Sequence, residues 1–193
     1  MELRGERVLV RPLVDEDAAL ALAYLEENRA FLEHWEPHRD DSWFTVEAQR
    51  REIAAAVEDR AADRAYAFGV FAGGELVGRI ALSQVFRGSF QNAYLGYSVA
   101  ERWNGHGFAT EAVGLALRFA FEKAALHRVQ AAVMPRNAGS IRVLEKNGFR
   151  EEGYAVRYLC INGAWEDHRI FARTRDREPA SPSRTSRLRP GRP

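Results

Sequence analysis

The chain has one cysteine, Cys160, so no disulfide can close within it. That suits a reducing compartment. No CxxC or HExxH pair accompanies the five histidines, which leaves no recognisable metal-ligand spacing and sets the expectation of no metal. No apolar run approaches the length of a membrane span, and the opening Met1-Glu2-Leu3-Arg4-Gly5 carries no apolar signal region. The expectation is a cytoplasmic protein without membrane contact. Charge of one sign is also scarce, with a net charge of only +1. The segment from Arg173 onward holds seven arginines against two acidic residues, a surplus of +5, which leaves −4 for everything before it. A mildly acidic body is not built mainly to grip nucleic acid.

What is present is enough chain for one ordinary domain: 193 residues, 46% hydrophobic and 28% charged. Residues 1–172 read as that domain and 173–193 as an Arg/Pro/Ser-rich disordered tail. The pattern predicts a strand over 7–12, then a helix opened by Asp15-Glu16-Asp17. Residues 28–35 read as a shorter helix or an ordered loop, and Thr45 caps a second long helix. Three consecutive antiparallel strands follow, over 66–71, 76–86 and 90–99. A helix over 108–123, a strand over 129–134 and a helix over 138–146 come next, the last stopped by Asn147-Gly148. The last elements are strands over 149–161 and 164–171, joined across Asn162-Gly163. The fold class is α/β, more narrowly α+β: a mixed, mostly antiparallel central sheet of about seven strands flanked by helices.

The segment Arg102-Trp103-Asn104-Gly105-His106-Gly107 stands between a strand and the helix that starts at Phe108. A helix N-terminus offers unpaired N–H groups and a partial positive charge, and glycine lets a phosphate approach the main chain closely. The N–H groups of Gly105, His106, Gly107, Phe108 and Ala109 would wrap a diphosphate, with Arg102 and His106 adding side-chain donors. Two glycines can also simply shape a tight turn. The loop is not the dinucleotide fingerprint, because Thr110 stands where a third glycine belongs, and no Gly-Lys-Ser/Thr makes it a Walker loop.

Arg102-x-x-Gly105-x-Gly107-x-Ala109 resembles the acetyl-CoA motif of the GNAT superfamily of N-acetyltransferases. Asn137-Ala138-Gly139-Ser140, followed by the segment ending Asn147-Gly148-Phe149, is similar to that family's Asn-x-x-Ser and Gly-Phe segment. Glu27-Asn28-Arg29-Ala30-Phe31-Leu32, with Trp35-Glu36-Pro37 after it, resembles the RimJ/RimL group within the superfamily. Arg87-Gly88-Ser89-Phe90 and Tyr94-Leu95-Gly96-Tyr97-Ser98 look more like its RimJ branch.

The resemblance implies a sheet splayed at the acetyl-CoA site, acetyl-CoA as co-substrate, and transfer to the N-terminal alanine of a small-subunit ribosomal protein. It implies a coenzyme site made of Ser98, Val99, Arg102, Asn104, Gly105, His106, Gly107, Phe108, Ala109, Thr110, Asn137 and Ser140. An N–H near Val99 would polarise the acetyl carbonyl. Many relatives carry a tyrosine acid where this chain has Leu144, and RimL-like proteins a glutamate base where it has Leu159. Ser140 then stands as the acid, with Tyr94 and His168 as candidates for orienting a water or acting as base. The acceptor side would be Glu27, Asn28, Phe31, Trp35, Ser89 and Phe90, a mixed acidic and aromatic wall. Two other acceptor readings stay open: a small amine such as an antibiotic, polyamine or amino sugar, and no acceptor at all in a non-catalytic coenzyme-binding assembly factor. The implied partners are a protein N-terminus and a ribosomal particle, approached by a monomer or homodimer.

Overall fold

A computed structural model of the chain describes residues 1–175. Its eight strands form one sheet in the order β1-β2-β3-β4-β5-β6-β8-β7, with β1 Leu3–Arg4, β2 Leu9–Arg11, β3 Tyr66–Ala72 and β4 Glu75–Phe86. The remaining strands are β5 Asn92–Val99, β6 Arg128–Val133, β7 Arg150–Ile161 and β8 Ala164–Thr174. All neighbours are antiparallel except β5 and β6. The expected mixed, mostly antiparallel sheet is therefore present. It gains one strand, β1, whose two residues are too few to leave a periodic signal. Strand β8 runs through Arg173 and Thr174, two residues past the expected domain boundary; the rest of the expected tail lies outside the described residues.

Four α-helices flank the sheet: α1 Ala18–Leu32, α2 Val46–Ala61, α3 Phe108–Arg118 and α4 Ala138–Lys146. Helix α2 starts where the sequence places it, with the Thr45 hydroxyl accepting the Ala48 N–H at 3.1 Å. Helix α1 does not break at Asn28. The buried Asn28 amide donates to Tyr24 O at 2.8 Å and its oxygen accepts the Glu101 N–H at 3.0 Å, so tertiary bonds override a weak helix former. The first turn is anchored by Asp17, which pairs with both Arg11 terminal nitrogens at 2.6 and 2.9 Å and accepts the Val14 N–H at 2.9 Å. The Arg11 guanidinium holds the Asp17 carboxyl below its ordinary range.

Two apolar clusters hold these layers. The larger joins Val70, Ile80, Leu82 and Leu95 of the sheet to Val113, Ala116 and Phe119 on the α3 side and Leu144 of α4. The smaller packs Ala21, Tyr24, Leu25 and Leu32 of α1 against Phe71, Leu76 and Ala100. Helices α1 and α2 thus cover one face and α3 and α4 the other.

The feature that positions the site is the β5–β6 pairing. These strands are in register at only three rungs: Asn92 with Arg128, Ala93 with Val129, and Tyr94 with Gln130. Beyond them β5 stays paired to β4 through Val99, while β6 stays paired to β8 through Val133. The sheet therefore opens into a V, and residues 95–99 face its gap with one edge free.

Candidate active site

A cleft of about 920 Å³ fills that V and crosses the sheet. Its floor is Gly96, Tyr97, Ser98 and Val99 of β5 and Ala131, Ala132 and Val133 of β6. One end is closed by the loop before α3 and by α4, the other by the end of α1 and the segment after it.

At the loop end, Gly105 and Gly107 adopt φ of 81° and 82°, a region that L side chains enter only with strain. Gly107 is the N-cap of α3 and has no side-chain cap, and the first bond of the helix runs from Glu111 N–H to Gly107 O at 3.1 Å. The preceding N–H groups are left without helical partners, as at any helix start. A Cβ on Gly105 would meet open space within 4 Å, so this is a cradle with room in it. The loop is tied down from β2's side: Arg7 Nη1 donates to His106 O at 2.8 Å and Arg7 Nε to Glu111 Oε2 at 3.0 Å. Nothing in the local sequence flags Arg7, which reaches the loop across 99 residues. Asn104, Gly105, Gly107, Phe108, Ala109 and Thr110 all line the cleft, as expected. These are the properties a diphosphate site requires.

On the α4 side, Asn137 caps the helix by accepting the Ser140 N–H at 3.0 Å. The Ser140 hydroxyl lies 2.8 Å from the Tyr97 hydroxyl, and Tyr97 also donates to Ser140 O at 3.1 Å. Burial pushes the Tyr97 phenol up to about 12, so it stays protonated at neutral pH, and with its proton on the Ser140 carbonyl its oxygen is free to accept from the Ser140 hydroxyl. Sequence reasoning missed Tyr97, although alternation along β5 puts it on this face. Leu144 is fully buried in the core and contributes only packing.

The opposite wall was also missed. Tyr24 of α1 donates its hydroxyl to Ser98 Oγ at 3.1 Å. Ser98 is the register partner of Arg79 on β4, and Glu36, just after α1, lines the same space. Burial raises the Glu36 carboxyl above its ordinary range, opposed by the positive charges of Arg79 and Arg39 and by the Ser98 hydroxyl. Burial likewise lifts the Tyr24 phenol to about 12. The main chain of Glu36 is held as well: its carbonyl accepts the Asn162 N–H, at the tip of the β7–β8 hairpin, at 3.3 Å. Ser98 thus presents its main chain to the gap but its side chain to this wall. Phe31 and Trp35 line the cleft here.

Several expected site residues stand elsewhere. The Arg102 guanidinium bridges Glu27, at 2.8 Å, and Glu75, and neither Arg102 nor Glu27 lines the cleft. Two nearby carboxylates capture an arginine more readily than an open loop does. His106 is exposed; its ring packs edge-on to Trp103 at 5.4 Å, and its Nδ1 lies 3.0 Å from Asn104 O, so only its main chain belongs to the cradle. Asn28 is a buried strut between α1 and Glu101, not an acceptor contact. Tyr94 sits against Tyr158 at the last of the three β5–β6 rungs and does not line the cleft. Ser89 and Phe90 lie on the exposed β4–β5 turn, with Phe90 65% exposed and edge-on to Phe86. His168 does line the cleft and is 3% exposed, with Nδ1 2.9 Å from Glu166 O. Its neighbour Asp167 points the other way, accepting from the Tyr154 hydroxyl and the Arg157 N–H, both at 2.8 Å.

The family model described as an acetyltransferase (GNAT) domain matches residues 7–150. A Bacillus subtilis (strain 168) protein named probable N-acetyltransferase YjcK is 45% identical over 172 residues, covering 88% of this chain and 95% of its own. The Escherichia coli (strain K12) [ribosomal protein uS5]-alanine N-acetyltransferase is 38% identical over 176 residues, covering 90% and 91%. Among solved structures, Mycobacterium smegmatis RimJ in complex with CoA-disulfide superposes with a TM-score of 0.83 at 35% identity, covering 86% of this chain and 81% of that one.

Proposed function

Because the chain belongs to the GNAT family of N-acetyltransferases, we propose that it carries an acetyl group from acetyl-CoA to the α-amino group of a protein N-terminus, with an alanine-starting small-subunit ribosomal protein as the first acceptor to test. The observation that carries this reading is the V between β5 and β6, which leaves the edge of residues 95–99 free and ends at the unpaired N–H groups before α3. The diphosphate rests on the main chain around Gly105 and Gly107, and the pantetheine arm lies along the free edge of β5. An N–H near Val99 meets the acetyl oxygen and stabilises the oxyanion. Asn137 flanks the arm. The Ser140 hydroxyl, held 2.8 Å from the Tyr97 hydroxyl, protonates the departing thiolate and is resupplied by the second proton of the attacking nitrogen.

An α-amino group suits this machinery. Its pKa is near ~8 against ~10.4 for lysine, so a useful fraction is neutral at pH 7. The acceptor approaches from the α1 wall past Phe31 and Trp35. A cytoplasmic ribosomal or pre-ribosomal particle is the partner this reading implies. The test is an acceptor panel followed by release of free coenzyme thiol, with calorimetry for acetyl-CoA. Turnover on an alanine-starting peptide at least ten-fold above that on polyamines, amino sugars and aminoglycosides supports the reading. The reverse order assigns a small-amine acceptor. Coenzyme binding with no turnover on any amine leaves a non-catalytic protein.

A further inference from the structure

Acetyl transfer needs somewhere for the acceptor's proton to go, and the positions where relatives carry an acid or base do not supply it. Leu144 and Leu159 cannot titrate, and Tyr94 lies outside the cleft. The α1 wall offers another group. Building on the acetyl-transfer reading, we propose that Glu36 is the carboxylate that receives the acceptor's ammonium group and removes its proton, with Tyr24 and Ser98 as positioning residues.

Four groups face the Glu36 carboxylate, each from a different segment: Ser98 from β5, Arg79 from β4, Arg39 from the segment after α1, and Tyr24 from α1 behind Ser98. Tyr24 donates to Ser98 at 3.1 Å, which leaves the Ser98 hydroxyl proton free to be given to a carboxylate or an acceptor in the cleft. Ser98 is also a floor residue of the V, so Glu36 stands beside the strand edge where the acetyl group is held. Arg39 is drawn partly aside, its guanidinium stacked 4.2 Å over the Trp43 ring. Burial raises the carboxyl above its ordinary range, opposed by the charges of Arg79 and Arg39, and a carboxylate shifted in that direction takes up a proton more readily than an exposed one.

The step balances as follows. Glu36 takes one proton from the ammonium. The freed nitrogen lone pair forms the C–N bond to the acetyl carbon, and the carbonyl π pair moves to oxygen. That pair returns as the C–S bond breaks and the thiolate leaves. The second nitrogen proton reaches the thiolate by way of Ser140, and Glu36 releases its proton to solvent.

The test is steady-state kinetics on the full chain with acetyl-CoA and an alanine-starting peptide from about pH 5 to 9. Calorimetry of acetyl-CoA binding serves as the check on folding. Glu36→Gln is expected to lower kcat/KM for the peptide about 100-fold. The acetyl-CoA affinity should stay within three-fold. The acid limb of the wild-type profile, set by a carboxylate above the ordinary ~4.3, should disappear. Glu36→Asp should recover about ten-fold of the loss. Tyr24→Phe should cost three- to ten-fold and shift the acid limb without removing it, which a purely structural tyrosine would not do. A Glu36→Gln enzyme within three-fold of wild type, or one that keeps the acid limb while His168→Gln loses it, overturns the assignment and leaves acetyl transfer intact. No turnover of the peptide by the wild type overturns the protein N-terminus reading and this assignment with it.

Discussion

Tyr97 and Ser98 are consecutive on β5 and face opposite walls of the cleft, and each wall answers with the same pair of groups. On the α4 side a buried tyrosine hydroxyl meets Ser140 at 2.8 Å; on the α1 side the buried Tyr24 hydroxyl meets Ser98 at 3.1 Å. The difference is charge. The α4 pair is uncharged, whereas the α1 pair stands against Glu36, Arg79 and Arg39. A neutral donor pair is suited to a leaving thiolate, whose pKa near ~8.5 needs little help. A charged wall is suited to a cationic acceptor that must lose a proton before it can attack. The strand's two-residue period places an uncharged pair on one side of the cleft and a charged group on the other, and the proposed reaction would use each for a separate task.

The largest break in this comparison should come from Ser140→Ala, with kcat down about 100-fold and the acetyl-CoA KM little changed in initial-rate assays. Gly107→Val should strike the coenzyme end alone. It forces a β-branched side chain to a φ of 82°, against the Arg7 guanidinium 3.0 Å from its Cβ, and should weaken acetyl-CoA binding about 30-fold, or ~2 kcal/mol, by calorimetry. Asp17→Asn should loosen the α1 wall. Removing one partner of the well-shielded Arg11–Asp17 pair should cost ~1.5–2 kcal/mol and lower Tm by about 3–8 °C at neutral pH. Asp17 has its carboxyl pKa depressed in the fold, so its contribution is present above the unfolded value of ~3.9 and is lost as pH falls through the folded one. The wild type and Asp17→Asn melting curves should therefore converge in acid. Tyr97→Phe removes one donor and should cost about five-fold in kcat, or ~1 kcal/mol. Smallest of all, Arg102→Ala should change the acetyl-CoA KM less than three-fold, because Glu27 and Glu75 already hold the guanidinium.

That last prediction separates what could be read in the sequence from what could not. The glycine loop before α3 was legible because its geometry is set by main chain. Gly105 and Gly107 before a helical period announce a helix N-terminus wherever the chain later packs. Thr45 was legible as a cap for the same reason, since it acts within three residues of itself. Side chains with distant partners were not legible. Arg102 reads as a phosphate ligand until Glu75, 27 positions away, takes it, and Asn28 reads as a helix break until Glu101 completes its bonds. The α1 wall was hidden most fully, because Tyr24 meets Ser98 across 74 positions and only the folded sheet places Arg79 opposite. Phe31 and Trp35, named from the resemblance, line the cleft, while Glu36, their neighbour in the same quoted segment, became a candidate only once its surroundings were known.

The bond from Asn162 N–H to the carbonyl of Glu36 couples the turn at the far end of the chain to the segment that bears the carboxylate. With Glu36 receiving the acceptor as proposed, substitutions at that hairpin tip, which touch neither Gly105 nor Gly107, should alter acceptor selectivity with little change in acetyl-CoA affinity, and Asn162 and Gly163 are the positions to vary first.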